Sequence, residues 1–367
     1  MAGRWDPCVS HRGAEIDGFV KAYFARPERR VLLVGGAGFD PRSTSVARRL
    51  ANTEGQIRGL FLQEERPKPT QSLVDRACTN SDELRAAIPA HEIEPVNIFG
   101  SDGAVVGGRN AVALIGRQDF NDATDIVVDM SALSVGTAFP IIRYLVERSA
   151  RSLAKFNLHL FVTHDPALDG AISSVSSDAP SFVHGFRGRS TLDGSAGAAK
   201  LWLPQLASGR AAALGRLHSF VDPHDTCPIL PFPAIDPRAG DRLAEEFLTE
   251  FESVWSVDTR NIVYADESDP LDLYRTILRL DDLRKPVFAE VGGSLLVLSP
   301  LGSKVMALGA LMAALERDLP VAYLEAIGYE FDSSTAQQQP ADMIHIWLEG
   351  EVYPQPRPAL LNEGVTA

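Results

Sequence analysis

The run Asp125-Ile126-Val127-Val128-Asp129 restricts the fold more than any other part of this chain. Three consecutive β-branched residues suit a strand buried on both faces, as in a parallel sheet. The run leads into the loop Met130–Gly136, a helix with an apolar face over Ala138–Arg148, and a second strand, LHLFV, at 158–162. Strands that alternate with helices predict an α/β protein: Rossmann-like parallel sheet units with helices on both faces, joined by right-handed crossovers.

The same grammar recurs elsewhere. Ile16, Phe19, Val20 and Phe24 stand at helical spacing within 13–25. The apolar run Arg30–Val34 follows as a strand, then GGAGFDPRSTS, then a helix carrying Val46 and Leu50. IRGLFL (57–62) is a further strand, and VNIFG (96–100) and AVALIG (111–116) read as two more. The polar, proline-bearing stretch 66–82 reads as a loop. Residues 223–237 hold five prolines and read as an extended crossing, followed by a helix over Arg242–Phe251 and the strand Asn261–Ala265.

These runs divide the chain into a Rossmann-like domain over 1–165, a flexible linker or lid over 166–200, a second Rossmann-like domain over 201–353 and a disordered tail over 354–367. Two pairs of segments suggest duplication. RVLLV with GGAGFDPRS is matched by NIVYA with DESDPLDLY, and 126–147 is matched by 295–316.

Composition narrows the function. A net charge of −13 with no lysine- or arginine-rich run argues against tracking an extended nucleic acid. Cys8, Cys78 and Cys227 are isolated, which supports neither a zinc cage nor a disulfide framework. MAGRWDPCVSHRG has no apolar signal core, and no stretch reaches about 18 apolar residues, so a cytoplasmic protein with no membrane contact is expected.

In open parallel sheets, ligands bind beyond the carboxyl ends of the strands, where helix amino termini present unpaired N–H groups to anions. Two loops suit an anionic, nucleotide-like ligand. In the first, Gly36 and Gly38 let the backbone approach a ligand, Asp40 precedes a helix start at Pro41, and Arg42 and Ser43 add a charge and a hydroxyl. Pro41 stands where the third glycine of a dinucleotide fingerprint belongs, although Glu64 and Glu65 follow the second strand. In the second loop, Ser299, Gly302, Ser303 and Lys304 gather hydroxyls, amides and an ammonium. Ser131 and Asp269 occupy comparable loops, and Asp129 ends a buried strand as the candidate catalytic acid. The pairs His164-Asp165 and His224-Asp225 read as capped turns, Cys8 with His11 as an isolated pair near a terminus, and His184–Arg189 as a solvated basic loop.

The run LLVLSPLGSKVMALGALMAALERDLPVAYLEA resembles the C-terminal signature of CARF (CRISPR-associated Rossmann fold) domains. Those have a buried strand, a Thr/Ser-Gly-Gly-Thr-Lys loop, a small-residue helix containing Met, and a final strand. Gly302, Ser303, Lys304 and Met306 match, while Leu301 replaces one glycine. The resemblance implies a prokaryotic antiviral sensor of cyclic or linear oligonucleotide messengers, usually dimeric. An enzyme acting on a nucleotide or sugar-phosphate, using Asp40, Asp129 and Asp269, and a protein-interaction subunit of a larger complex are the competing readings.

Overall fold

A computed structural model describes residues 3–53, 55–151, 156–188, 197–332 and 342–353. The chain forms two units, Trp5–Val175 with Ile327–Arg357, and one built mainly on Ser176–Ala326.

The first unit is organised on a seven-stranded sheet. Its strands run in the order Val9–Arg12, Asp342–Glu349, Asn157–His164, Asp125–Asp129, Arg30–Gly36, Gln56–Glu65 and His91–Asn97. The last five are parallel. The first two run antiparallel to their neighbours. Taken in chain order, the parallel five lie as 3-2-1-4-5, the doubly wound arrangement. Asp125–Asp129 is buried throughout, as its apolar run requires. The helices Ser45–Ala51 and Gln71–Ala87 pack together, as do Gly107–Gly116 and Val135–Arg151. Right-handed crossovers place these two pairs on opposite faces.

Two segments differ from expectation. Residues 66–82, read as a loop, contain most of the helix Gln71–Ala87. It buries Leu73, Asn80, Ser81 and Leu84. Half of that stripe is polar, so apolar periodicity does not reveal it. Residues 111–116, read as a strand, belong to the helix Gly107–Gly116, which buries Ala111 and Ile115 one turn apart. A six-residue apolar run does not distinguish strand from helix by pattern alone.

The second unit repeats the topology. Ala199–Gln205 pairs along its whole length with Ser294–Pro300. On its other edge, Asp225, Thr226 and Ile229 face Leu201, Trp202 and Gln205 at a constant offset, so Asp225–Thr226 and Ile229–Pro231 act as one interrupted strand. Val263–Ala265 lies outside that strand, and a parallel bridge joins Leu298 to Val321 beside Ala322–Tyr323. In chain order the first four strands lie as 3-2-1-4, and the bridge at Val321 sets a fifth segment beside the fourth, which completes the 3-2-1-4-5 order. The proline-punctuated crossing is therefore the second strand of this sheet. Trp202, Leu214, Leu230, Phe247, Trp255 and Leu295 form the core of the unit.

This topology corrects part of the duplication. Asp125–Asp129 and Ser294–Pro300 are each the fourth strand of their unit, as the second pairing requires. NIVYA is an edge strand, third in its unit, and its counterpart is His91–Asn97. The counterpart of Arg30–Gly36 is Ala199–Gln205.

The domain division is corrected too. Asp342–Glu349, assigned to a second domain over 201–353, lies in the first sheet beside Asn157–His164. Of the expected linker over 166–200, Pro166–Ala171 is a helix, Ile172–Ser176 a strand, and Ser181–Phe182 pairs with Ala322–Tyr323. Within the expected solvated basic loop, Phe186 is buried and its carbonyl accepts from Val321 N. Residues 189–196 and the expected tail 354–367 lie outside the described residues.

Candidate functional site

Strand order reverses between the first and fourth parallel strands of each unit, and the loops beyond those strands are where a doubly wound sheet offers a crevice. In the first unit these are the loops after Gly36 and after Asp129. A Cβ on Gly36 would stand 3.0 Å from the Ala132 carbonyl oxygen, so glycine permits the two loops to close on each other. Around Gly38 there is open space.

The charged groups here are turned on one another. Asp40 Oδ1 accepts from Arg42 N at 2.9 Å and caps the short turn Pro41–Thr44. The Arg42 guanidinium, itself buried, donates to Asp40 Oδ2 at 2.8 Å and to Asp169 Oδ1 at 2.6 Å. Burial opposes its charge, but these two carboxylates prevail and raise its affinity for the proton. Arg42, expected to meet a ligand, is neutralised from within. Asn80 Nδ2 fastens the loop by donating to the carbonyls of Gly38 and Asp40. Ser43 is 2 % exposed, and its hydroxyl is buried without a hydrogen-bond partner among the described residues.

Asp129 is 2 % exposed. Its Oδ1 accepts from Ser131 N at 2.9 Å and Ser131 Oγ at 2.5 Å. Ser131 Oγ in turn accepts from Thr163 N at 2.9 Å. Burial pushes the Asp129 carboxyl up to about 7; the bonds from Ser131 oppose this and the charge of Asp40 adds to it. The value suits general acid–base work. The side chain, however, is enclosed and engaged, so Asp129 braces the loop rather than facing a substrate.

A third carboxylate completes the pattern. Glu64 Oε1 accepts from Ser134 N and Ser134 Oγ, each at 2.9 Å, at the start of the helix Val135–Arg151. Burial would raise its carboxyl; Arg66, at 2.8 Å, and the hydrogen bonds at the helix start hold it below its ordinary value. In this unit, side-chain carboxylates take the amide positions that an anionic ligand would use. The sequence pointed to Glu64 only as an acid following the second strand, and it gave no signal for Asn80 or Asp169.

The corresponding place in the second unit is built differently. Ser303 Oγ, a neutral hydroxyl, accepts from Met306 N and caps the 14-residue helix Lys304–Arg317. Ser299 is fully buried, and its Oγ accepts from Trp202 Nε1 at 2.9 Å, so it braces the core instead of facing a ligand. Gly302 lies against Gln205, at the carboxyl end of the central strand: a Cβ on Gly302 would stand 3.2 Å from Gln205 Cβ and 3.4 Å from Gln205 Oε1. Gln205 Nε2 donates to the Met306 carbonyl at 3.1 Å, and Oε1 is buried without a donor among the described residues. Nothing in the sequence pattern singled out Gln205. Asp269 accepts from Leu271 N and caps the helix Pro270–Phe288, which follows the edge strand and not the switch-point pair.

Of the histidine pairs, Asp165 caps the helix Pro166–Ala171, and His224 Nδ1 accepts from Lys200 N. A cavity of about 260 Å³, lined in part by Arg29, Thr124, Asn157 and Glu351, lies at the amino ends of the first unit's strands, away from the switch point. Among the described residues no group of three His, Cys, Asp or Glu could hold a metal ion, and no helix is long and apolar enough to cross a membrane.

Fold and loops define a protein of two Rossmann-like units, the first with a self-neutralised switch point and the second with a hydroxyl-capped one. No family model matches the chain. No curated protein matches it. Among solved structures, precorrin-6y C5,15-methyltransferase from Geobacter metallireducens GS-15 is 12 % identical with a TM-score of 0.23, over 46 % of this chain and 77 % of that one. Phytolacca americana UGT2, solved with UDP-2-fluoroglucose and pterostilbene, is 8 % identical with a TM-score of 0.25, over 82 % and 81 %. Likeness this weak says nothing about function.

Proposed function

We propose that the chain is a nucleotide-binding Rossmann-like protein that takes an anionic, nucleotide-like ligand at the loop Ser299–Lys304 of its second unit. The observation that carries this reading is Gln205. Its amide nitrogen is committed to the Met306 carbonyl, which fixes the orientation of the group and leaves Oε1 as a buried acceptor with no donor among the described residues. An unsatisfied buried acceptor costs about 1–3 kcal/mol. A hydroxyl or amino group of a ligand seated at the helix start would satisfy it, while the amides and Lys304 meet the phosphate.

The likeness of Gly302, Ser303, Lys304 and Met306 to the CARF signature supports cyclic or linear oligonucleotide messengers as the ligand class, and with it a sensor role in prokaryotic antiviral defence. An enzymatic reading centred on Asp129 is disfavoured by the enclosure of that carboxyl.

Thermal-shift titration with mononucleotides, dinucleotides and cyclic oligoadenylates tests the proposal. At least one should raise the melting temperature of the second unit, and Lys304→Glu should abolish the rise. The absence of a shift from every nucleotide at millimolar concentration overturns it.

A further inference from the structure

Three imidazoles form a hydrogen-bonded row across the first unit. His159 Nε2 lies 3.2 Å from Asp125 Oδ1, His159 Nδ1 lies 3.0 Å from His345 Nε2, and His345 Nδ1 lies 2.9 Å from His11 Nδ1. The row crosses four strands, Asp125–Asp129, Asn157–His164, Asp342–Glu349 and Val9–Arg12. Asp125, His159 and His345 are fully buried, and His11 is half-buried.

Asp125 sets the proton pattern of the whole row. Burial would raise its carboxyl, but hydrogen bonds, first from His159 and then from Thr124 and Tyr23, hold it ionised and so an acceptor only. His159 must then donate through Nε2, which in a neutral ring leaves Nδ1 as an acceptor. His345 must donate to it through Nε2 and accept at Nδ1, and His11 must donate through Nδ1. Each ring has one N–H, and every N–H in the row points the same way.

One added proton can reside on any of the rings, because the rings outside it shift tautomer until the outward Nε2 of His11 carries an N–H; a second added proton would set two N–H groups against each other at about 3 Å. Among the described residues, the rings' other neighbours are aromatic. Phe19, Phe24, Phe161 and Trp347 pack against the rings. The charged groups acting on the row are Glu15 beside His11, and Arg29 and Glu351 beside Asp125 and His159, with the Tyr23 hydroxyl also on Asp125. The row therefore keeps its hydrogen bonds with one added proton, entering at the outward Nε2 of His11, and must break to take the others.

We propose that this row is an acid-labile clasp: below neutral pH it opens and frees the edge strand Val9–Arg12 and the helix Ala14–Tyr23. The strand suits release. It has four partly exposed residues, and Asp342–Glu349 is its sole neighbour in the sheet. The open form accommodates every added proton and the closed form only the first, so acid shifts the balance toward opening.

Hydrogen exchange followed by mass spectrometry on the full chain, corrected for the intrinsic pH dependence of exchange, reads this directly. From pH 7.5 to 5.5, residues 9–23 and 342–349 should lose about tenfold protection per excluded proton. Residues 294–317 of the second unit should change little. His345→Gln supplies a donor and an acceptor but cannot be protonated, and it should remove most of the acid response. Equal protection at both pH values, a loss spread evenly over both units, or an undiminished response in His345→Gln overturns the clasp. Should His345→Gln fail to fold, the profile of the unaltered chain decides between these outcomes.

Discussion

Arg42 and Asp129 lie in the first unit's switch-point loops, and their neighbours set their chemistry. Arg42 has two carboxylates within 2.8 Å, so its charge is satisfied within the fold. Asp129 has two donors and no cation in hydrogen-bond contact, so burial dominates and its carboxyl titrates near 7. An acid whose value is raised on folding contributes stability below its unfolded value and loses it as pH climbs through the folded one. An asparagine in its place would keep an acceptor for Ser131 without ever ionising. Asp129→Asn should therefore stabilise by about 2 kcal/mol at pH 5, where the unfolded aspartate is already ionised but the folded one is protonated, and by up to about 4 kcal/mol at pH 8. Urea melts at the two pH values check this; a variant no more stable at pH 8 would mean that the buried carboxylate is better accommodated than its surroundings indicate. Neither fate was legible in the sequence. Residue type and spacing revealed which groups gather at the switch-point loops. Their pairing with Asp169 or Thr163 depends on contacts more than 30 positions away.

Among elements, those with one unmixed signal were readable and those with two were not. The strands Arg30–Gly36 and Asp125–Asp129 are apolar runs ended by turn residues, and the sequence located both. The helix Gln71–Ala87 buries Asn80 and Ser81 beside Leu73 and Leu84, so its polar stripe masks the helical period. Asp342–Glu349 buries both faces but includes His345 and Glu349, and its partners, Asn157–His164 and Val9–Arg12, are remote in sequence. The helix Val135–Arg151 starts on a carboxylate supplied by another strand, which is why Glu64 carries weight beyond its own segment. Glu64→Gln would weaken the bonds to Ser134 and remove the ion pair with Arg66, whose side chain is 8 % exposed. A loss of about 2 kcal/mol is expected at pH 7 from cap and pair together. Because folding depresses the Glu64 carboxyl, its contribution is present above about 4.5 and fades as pH falls below that value. Chemical denaturation of both proteins at pH 7 and pH 4 should show the gap narrowing under acid; a constant gap would assign the effect to shape and not to charge.

At the scale of the whole molecule, the duplicated 3-2-1-4-5 order was half visible in the sequence. The fourth strands align because each is an apolar run leading to a small-residue loop and a helix. The first strands do not, because Ala199–Gln205 mixes Lys200, Trp202 and Pro204 into the run. Two sheets with separate cores should melt as two transitions, and the units differ in how acid acts on them. Burial lowers the proton affinity of His11, His159 and His345 in the first unit and of His218 in the second. A group depressed on folding contributes stability above its unfolded value, near 6.5, and loses it as pH falls below that. From pH 7.5 to 5.5 the two fully buried rings, and His11 to a lesser degree, should therefore cost the first unit stability. Asp129 acts in the opposite sense and returns about 2 kcal/mol over the same range, because its carboxyl is protonated and neutral in the folded state at the lower pH. In the unaltered chain these contributions oppose each other, and calorimetry should find the first unit's transition less sensitive to pH between 5.5 and 7.5 than in Asp129→Asn. Asp129→Asn removes the compensation, so the same transition should fall by several degrees on acidification, while the second unit's transition responds as it does in the unaltered chain. If instead both transitions of Asp129→Asn move together, the units do not unfold independently, and the opposing proton linkages cannot be assigned to one sheet.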